Sequence, residues 1–124
     1  MKEIKTNNAP EAIGPYSQGI TIGNFVFTSG QIPVNPATNE IPEGIVNQAN
    51  QAILNLKGVL EEAGSSLENV IKTTLYISDM NEFSKINEIY AKFFKAPYPA
   101  RSCGEVSNLP KGVMIEIEAI AEKI

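Results

Sequence analysis

Residues 113–122 read VMIEIEAIAE: Val113, Ile115, Ile117, Ala119 and Ala121 alternate with Met114, Glu116, Glu118, Ile120 and Glu122. A period of two is that of an extended strand, whose successive side chains point to opposite faces of a sheet. The first set suits a face packed under a covering layer. The second mixes carboxylates with apolar side chains, as a face does when it is solvated or pressed against another subunit.

Working outward from that strand, NLPKG (108–112) separates it from a segment over Arg101–Ser107 that reads as another strand and is expected to pair with it antiparallel. Pro97 and Pro99 stop a helix before that segment, because each removes a donor and biases the preceding residue to extended backbone. The helix itself carries Phe83, Ile86, Tyr90, Phe93 and Phe94 on one stripe, with Asp79 placed to cap its start. Val70–Ser78 alternates again and reads as a strand. Ile45–Ala63 holds Ile45, Ala49, Ala52, Ile53, Leu56, Val59, Leu60 and Ala63 at three- and four-residue steps, a helical face stopped by Gly64. Gln18–Ile22 and Phe25–Ser29 form a hairpin through Gly23-Asn24, a pair suited to a primed turn. A short strand over Lys2–Lys5, a loop with two prolines over residues 7–17 and a long loop over Gly30–Pro42 complete the chain. The expected order is β-ββ-α-β-α-ββ, in one domain over residues 1–124. Two amphipathic helices can cover only one face of such a sheet.

The 124 residues contain no histidine, no tryptophan and one cysteine. That removes Ser-His-Asp and Cys-His nucleophiles, imidazole acid–base chemistry, His-ligated metals and internal disulfides. Ten basic against 14 acidic residues give a net charge of −4, a balance that argues against a partner gripped by its phosphates. The N-terminal stretch lacks the apolar run of a secretory signal and no segment approaches the roughly 20 apolar residues of a membrane span. The expectation is a cytoplasmic protein without a membrane partner.

Chemistry must then come from an arginine, carboxylates, hydroxyls and backbone. Arg101, after two prolines at a strand start, has the planar fork that binds a small carboxylate with two parallel hydrogen bonds, although a surface salt bridge would use the same residue. Glu116 could bind or activate a water as a general base, or simply face solvent. Ser29 and Gly30, ending the hairpin, offer a hydroxyl and an unobstructed N–H. Tyr16 could donate a phenolic hydrogen bond or border a pocket. Cys103, with no histidine to activate it, reads better as a small packing residue. No carboxylate group has His or Cys partners with metal-ligand spacing.

Four segments together carry a resemblance: AIGPYSQG (12–19), TSGQIPVNP (28–36), NLKGVLEEAGSSLENVIKTTLYISDM (55–80) and PARSCGEVSNLPKGVMIEIEAIA (99–121). With these the chain resembles the RidA family, also called the YjgF/YER057c/UK114 family, over nearly its whole length. The presence of Arg101 matches its archetypal deaminase subgroup. The resemblance implies an α+β fold like that of the trimeric chorismate mutase, forming a homotrimer with a central β-barrel and sites in clefts between subunits. It also implies hydrolysis of 2-iminobutanoate and 2-iminopropanoate, or their enamines, to 2-oxo acids and ammonia, which protects pyridoxal-phosphate enzymes from these intermediates. No cofactor is implied. Carried onto this sequence, Arg101 would clamp the substrate carboxylate and Glu116 would position the attacking water. Ser29, Gly30, Tyr16, Cys103 (through its backbone) and Asn87 would line the pocket. Gly104 stands where relatives often carry a larger apolar residue, which implies a roomier pocket. The other readings are a regulatory trimer binding a 2-oxo acid or amino acid, and an endoribonuclease or translation inhibitor.

Overall fold

The strand read first from the sequence is the inner strand around which the sheet is arranged. In the computed structural model, which describes residues 1–124, the elements are β1 (Lys2–Ile4), β2 (Gly19–Ile22), β3 (Phe25–Thr28), α1 (Ile45–Glu62), β4 (Val70–Ile77), α2 (Phe83–Phe93), β5 (Ala100–Glu105) and β6 (Ile115–Glu122). They form one six-stranded mixed sheet in the order β1-β2-β3-β6-β4-β5. β6 lies antiparallel to both β3 and β4. Its Ile115, Ile117, Ala119 and Ala121 are buried, while Glu116, Glu118 and Ile120 on the other face are only half-buried.

One expectation fails here. β5 and β6 do not pair: β4 stands between them, parallel to β5 with Thr73 opposite Arg101 and antiparallel to β6 with Tyr76 opposite Glu116. The reason is the helix that precedes β5. A strand, a helix and a second strand give a crossover that returns the chain parallel to its start. β6 then enters the slot between β3 and β4, where its apolar face meets the core. NLPKG is thus not a hairpin turn; it carries the chain from the sheet edge back to its interior. Asp79 also caps differently from the expectation: its side chain accepts from the Asn81 N–H at 2.9 Å, closing the short 3-10 turn Met80–Glu82 ahead of α2.

Both helices cover the same face. α1 buries Ala49, Ala52, Ile53, Leu56, Val59 and Leu60, and α2 buries Ile86, Ile89 and Tyr90, against Val26, Leu75, Ile77, Ile115 and Ile117 of the sheet. Complete burial of a Leu, Ile or Val side chain contributes roughly 1.5–3 kcal/mol, so this layer dominates the fold's stability. The other face carries Ile22, Phe25 and Phe27, each more than two-fifths exposed. No helix is long and apolar enough to cross a membrane.

Three buried amides tie the loops to this frame. Gln18 accepts from the Thr6 N–H and donates to the carbonyls of Thr6, Ala9 and Pro10, pinning the N-terminal loop. Asn55 of α1 donates to the carbonyls of Ile32 and Val34, both at 2.9 Å. Gln48 donates to the Pro42 carbonyl and accepts from the Met114 N–H. The long loop after β3 is therefore latched at both ends, and Gln31 extends the sheet locally by bridging Ile117. This latching fixes Ser29 and Gly30 against β6.

Candidate functional site

Arg101 is the chain's only arginine among ten basic residues, and three residues of α2 receive it. Phe83, Asn87 and Tyr90 recur at steps of four and three, so they share one helical face. The Arg101 guanidinium carbon lies 4.8 Å from the centre of the Tyr90 ring and 5.2 Å from that of Phe83, and Nη1 donates to Asn87 Oδ1 at 2.8 Å. Both ring distances are within the range of cation–π attraction. The chain's one ion pair is Lys85–Glu82 at 3.4 Å, so no carboxylate of the same chain neutralises Arg101. Its head borders a cavity of about 430 Å³ lined by Asn87, Tyr90, Ala91, Tyr98, Pro99 and Arg101. An ordered cation at a cavity with no anionic partner has the chemistry to receive a small carboxylate.

Cys103 is two residues further along β5, on the same face and half-buried, where its side chain packs against the core. Burial pushes its thiol up from the ordinary value, only partly offset by the Arg101 charge, so it rests as a protonated thiol rather than a nucleophile.

Glu116 lies on the opposite face of the sheet. Its neighbour is Gly30: a β-carbon placed on that residue would fall 2.6 Å from Cδ and 2.9 Å from Cγ of Glu116, well inside contact distance. The backbone of Gly30 is outside the left-handed region, so close approach rather than conformation is what requires glycine there. Burial, with Glu118 adding a like charge, pushes the Glu116 carboxyl up from its ordinary value. The Ser29 hydroxyl is committed to the Ser17 carbonyl at 2.5 Å, which fastens the Tyr16 loop to the end of β3. Tyr16 and Gly30 border a second cavity of about 660 Å³, together with Gln31, Ile32, Pro110 and Lys111.

The seven residues singled out in the sequence thus fall into two groups. Arg101, Asn87 and Cys103 share the helix side of β5; Glu116, Gly30, Ser29 and Tyr16 gather at the other face and its rim. Arg101 and Glu116 are two strands apart, roughly 10 Å, and three residues apart along the register, roughly another 10 Å. A molecule of half a dozen heavy atoms cannot touch both within one chain. The sequence reading missed Phe83, Tyr90 and Tyr98 at the site. Phe83 and Tyr90 fall within an apolar stripe, although the spacing that brackets Asn87 between two rings, opposite a lone arginine, was there to be seen.

The fold and this constellation define a class: a chorismate-mutase-like α+β protein whose single arginine is held in an aromatic cradle beside a small cavity. Comparison with known proteins narrows it. The family model described as Endoribonuclease L-PSP matches residues 6–123. The 2-iminobutanoate/2-iminopropanoate deaminase of Escherichia coli strain K12 is 52% identical over 123 residues, 97% of this chain and 96% of that protein. A RutC family protein of Pyrococcus horikoshii is 58% identical over 125 residues, 99% of both chains. Among solved structures, E. coli TdcF with bound serine superposes with a TM-score of 0.96 at 50% identity, covering 100% of both chains. The chain belongs to the RidA (YjgF/YER057c/UK114) family.

Proposed function

We propose that this protein hydrolyses 2-imino acids and their enamine tautomers, 2-iminobutanoate and 2-iminopropanoate among them, to 2-oxo acids and ammonia. The observation that carries the reading is Arg101: a lone guanidinium ordered by two rings and an amide, without an anion of its own, at the mouth of a small cavity. The E. coli deaminase at 52% identity acts on such compounds by its name. The serine bound in TdcF shares with a 2-imino acid an α-carboxylate next to a carbon bearing nitrogen.

In the proposed reaction Arg101 clamps the carboxylate and fixes C2 of the imine. Glu116, ionised, accepts a proton from a water whose oxygen attacks C2, forming a carbinolamine. With the imine entering protonated on nitrogen, Glu116 returns the proton to that nitrogen, the C–N bond breaks with its electron pair leaving on ammonia, and the C2 hydroxyl gives its proton to Glu116 as C2 becomes a carbonyl. Orienting one water against an already electrophilic carbon contributes on the order of 10²–10⁴-fold, a scale suited to a reaction that also proceeds unaided. Tyr16, Ser29, Gly30 and Asn87 line the pocket in this scheme, and Cys103 lends its backbone.

The scheme requires Arg101 and Glu116 to come from different chains. We assign the partner as further copies of the same chain, closing three clefts in a homotrimer in which the uncovered sheet faces meet. The exposed Ile22, Phe25 and Phe27 support this assignment, since a row of large apolar side chains on a sheet face favours burial. The test generates the imine in place. A pyridoxal-phosphate threonine dehydratase acts on threonine in the presence of semicarbazide, and the added protein is expected to lower the trapped adduct and speed 2-oxobutanoate formation. Unchanged trapping, or full activity in Arg101→Ala, would overturn the reading. A monomer by sedimentation would overturn the shared site.

A further inference from the structure

We infer that Tyr90 and Thr73 are positioning residues that hold the Arg101 guanidinium at the angle its ligand needs; the inference rests on Arg101 being the carboxylate anchor. Thr73 is fully buried and Tyr90 is 5% exposed. Their hydroxyls lie 2.8 Å apart, the only polar link between α2 and β4 beneath the site. Thr73 is also the register partner of Arg101 on the neighbouring strand. A closed circuit results: β5 carries Arg101, whose guanidinium rests on the Tyr90 ring, whose hydroxyl is fastened to Thr73, which stands beside Arg101 in the ladder. The Phe94 ring stacks on Tyr90 at 4.3 Å with 28° between planes, so the Tyr90 ring is held from a second side.

This arrangement has a purpose that packing alone would not need. A core position facing Thr73 would be filled more cheaply by an apolar pair, because burying two hydroxyls gains little net stability over apolar groups of the same shape. What the hydroxyl pair adds is direction: it fixes the rotation and depth of the Tyr90 ring, and the ring face sets the plane of the guanidinium. Asn87 then fixes the in-plane rotation by taking one N–H through Oδ1. With plane and rotation both set, the remaining N–H groups are aimed before a ligand arrives, which lowers the ordering cost of binding. A clamp made equally in the ground state and the transition state changes KM more than kcat, so loosening the cradle is expected to act on KM.

The experiment uses the full-length protein and 2-oxobutanoate, the product of the proposed reaction, as the probe. Calorimetric affinity is compared for the parent chain, Thr73→Val, Tyr90→Phe, Tyr90→Leu and Arg101→Ala, with kcat and KM from the trapping assay. Because the chain has one arginine, its side-chain N–H signal in a nitrogen–proton correlation spectrum is unambiguous and reports ring-current shifts directly. Tyr90→Leu is expected to weaken 2-oxobutanoate about tenfold, consistent with the range of cation–π attraction, and Tyr90→Phe and Thr73→Val, which keep the ring and lose only the hydroxyl pair, about threefold, the scale of one net hydrogen bond. KM should rise in parallel, with kcat held within about twofold. The arginine signal should move toward that of free arginine in the same order. In an Arg101→Lys background the Tyr90→Leu change should add less than about half its effect in the parent, the non-additivity of residues acting through one group. If Tyr90→Leu does not fold, Tyr90→Phe and Thr73→Val, which keep the shape of the core, decide the matter. Parent affinity and an unmoved arginine signal in these folded variants would overturn the inference while leaving the anchor intact. Parent affinity in Arg101→Ala would instead overturn the anchor reading on which it rests.

Discussion

Replacing Gly30 by alanine separates the fold from the chemistry more sharply than removing any side chain. The added β-carbon would lie 2.6 Å from Glu116 Cδ and closer still to Oε2. Carbon–carbon contacts are comfortable at about 3.5–4.0 Å, so the carboxyl group has to retreat by roughly 1 Å. It can do so by rotating a flexible side chain whose end is only half-buried, at a strain of about 0.5–1.5 kcal/mol. Set against this, alanine restricts the unfolded chain at a position whose backbone it can adopt, a gain of about 0.4–1 kcal/mol. The two nearly cancel, and Gly30→Ala is expected to unfold in urea within about 1 kcal/mol of the parent. The catalytic consequence does not cancel: a group displaced by about 1 Å from its working position costs on the order of 10²-fold in rate. The imine-trapping assay should therefore show kcat/KM down about a hundredfold while 2-oxobutanoate, gripped by Arg101, still binds. A Gly30→Ala protein of parental stability and parental activity would refute the claim that Gly30 exists to seat Glu116. A protein destabilised by several kcal/mol would refute the steric reasoning itself.

Arg101→Lys should lose about 10²-fold or more in kcat/KM, since an ammonium offers neither the two-pronged contact nor the planar stack on Tyr90; the trapping assay reads this, and half-maximal activity would count against it. Because burial raises the Glu116 pKa, the acid limb of a kcat/KM–pH profile should lie above the ordinary carboxylate range, and Glu116→Gln should abolish that limb along with most of the rate. The same raised value has a sign for stability: the contribution of protonated Glu116 is fully present below its unfolded pKa and is lost as pH rises through the folded value. Urea melts should accordingly show Glu116→Gln gaining on the parent toward neutral pH and not at acid pH. Cys103 should alkylate with iodoacetamide more slowly than a free thiol at neutral pH, and more slowly again in Arg101→Ala, because the arginine charge is what lowers its raised pKa. Asn55→Ala strands the buried carbonyl of Val34 and the part-buried one of Ile32, and is expected to cost about 1–3 kcal/mol in urea unfolding.

What could be read from the sequence, and what could not, divides along a physical line. Alternation over residues 113–121 and the three- and four-residue steps over 45–63 are local signals, and α1 and all the strands stand within about two residues of where such local signals place them, while α2 starts three residues later than an Asp79 cap would put it, after the 3-10 turn Met80–Glu82. Pairing is not local. NLPKG, with proline and glycine between two alternating segments, has the composition of a hairpin link, and nothing in those five residues says that β4 will stand between the strands it joins. The deciding fact is the helix before β5, which turns β4, α2 and β5 into a crossover unit with a parallel pair. The site residues depended on that pairing. An antiparallel β5–β6 hairpin would have allowed Arg101 and Glu116 to share a face of one chain. Parallel pairing with β4 sets Arg101 beside Thr73, on the covered face, while Glu116 lies beside Tyr76 on the open one.

That separation bears directly on how the reaction is proposed to work. If Arg101 and Glu116 shared one face of one chain, an arginine and a carboxylate this close to a common ligand would attract each other whenever the site was empty, and a paired Arg101 would have to break that contact to bind its substrate. Holding them on opposite faces keeps the guanidinium unpaired in the single chain, resting on rings that stabilise its charge without occupying its N–H groups. In the proposed trimer the carboxylate would arrive only with the neighbouring copy. Association and competence are then linked: dilution below the trimer's dissociation range should abolish imine hydrolysis while each chain keeps its weak affinity for 2-oxobutanoate. Equal specific activity across a concentration series in which sedimentation shows the trimer falling to monomer would refute a site divided between chains.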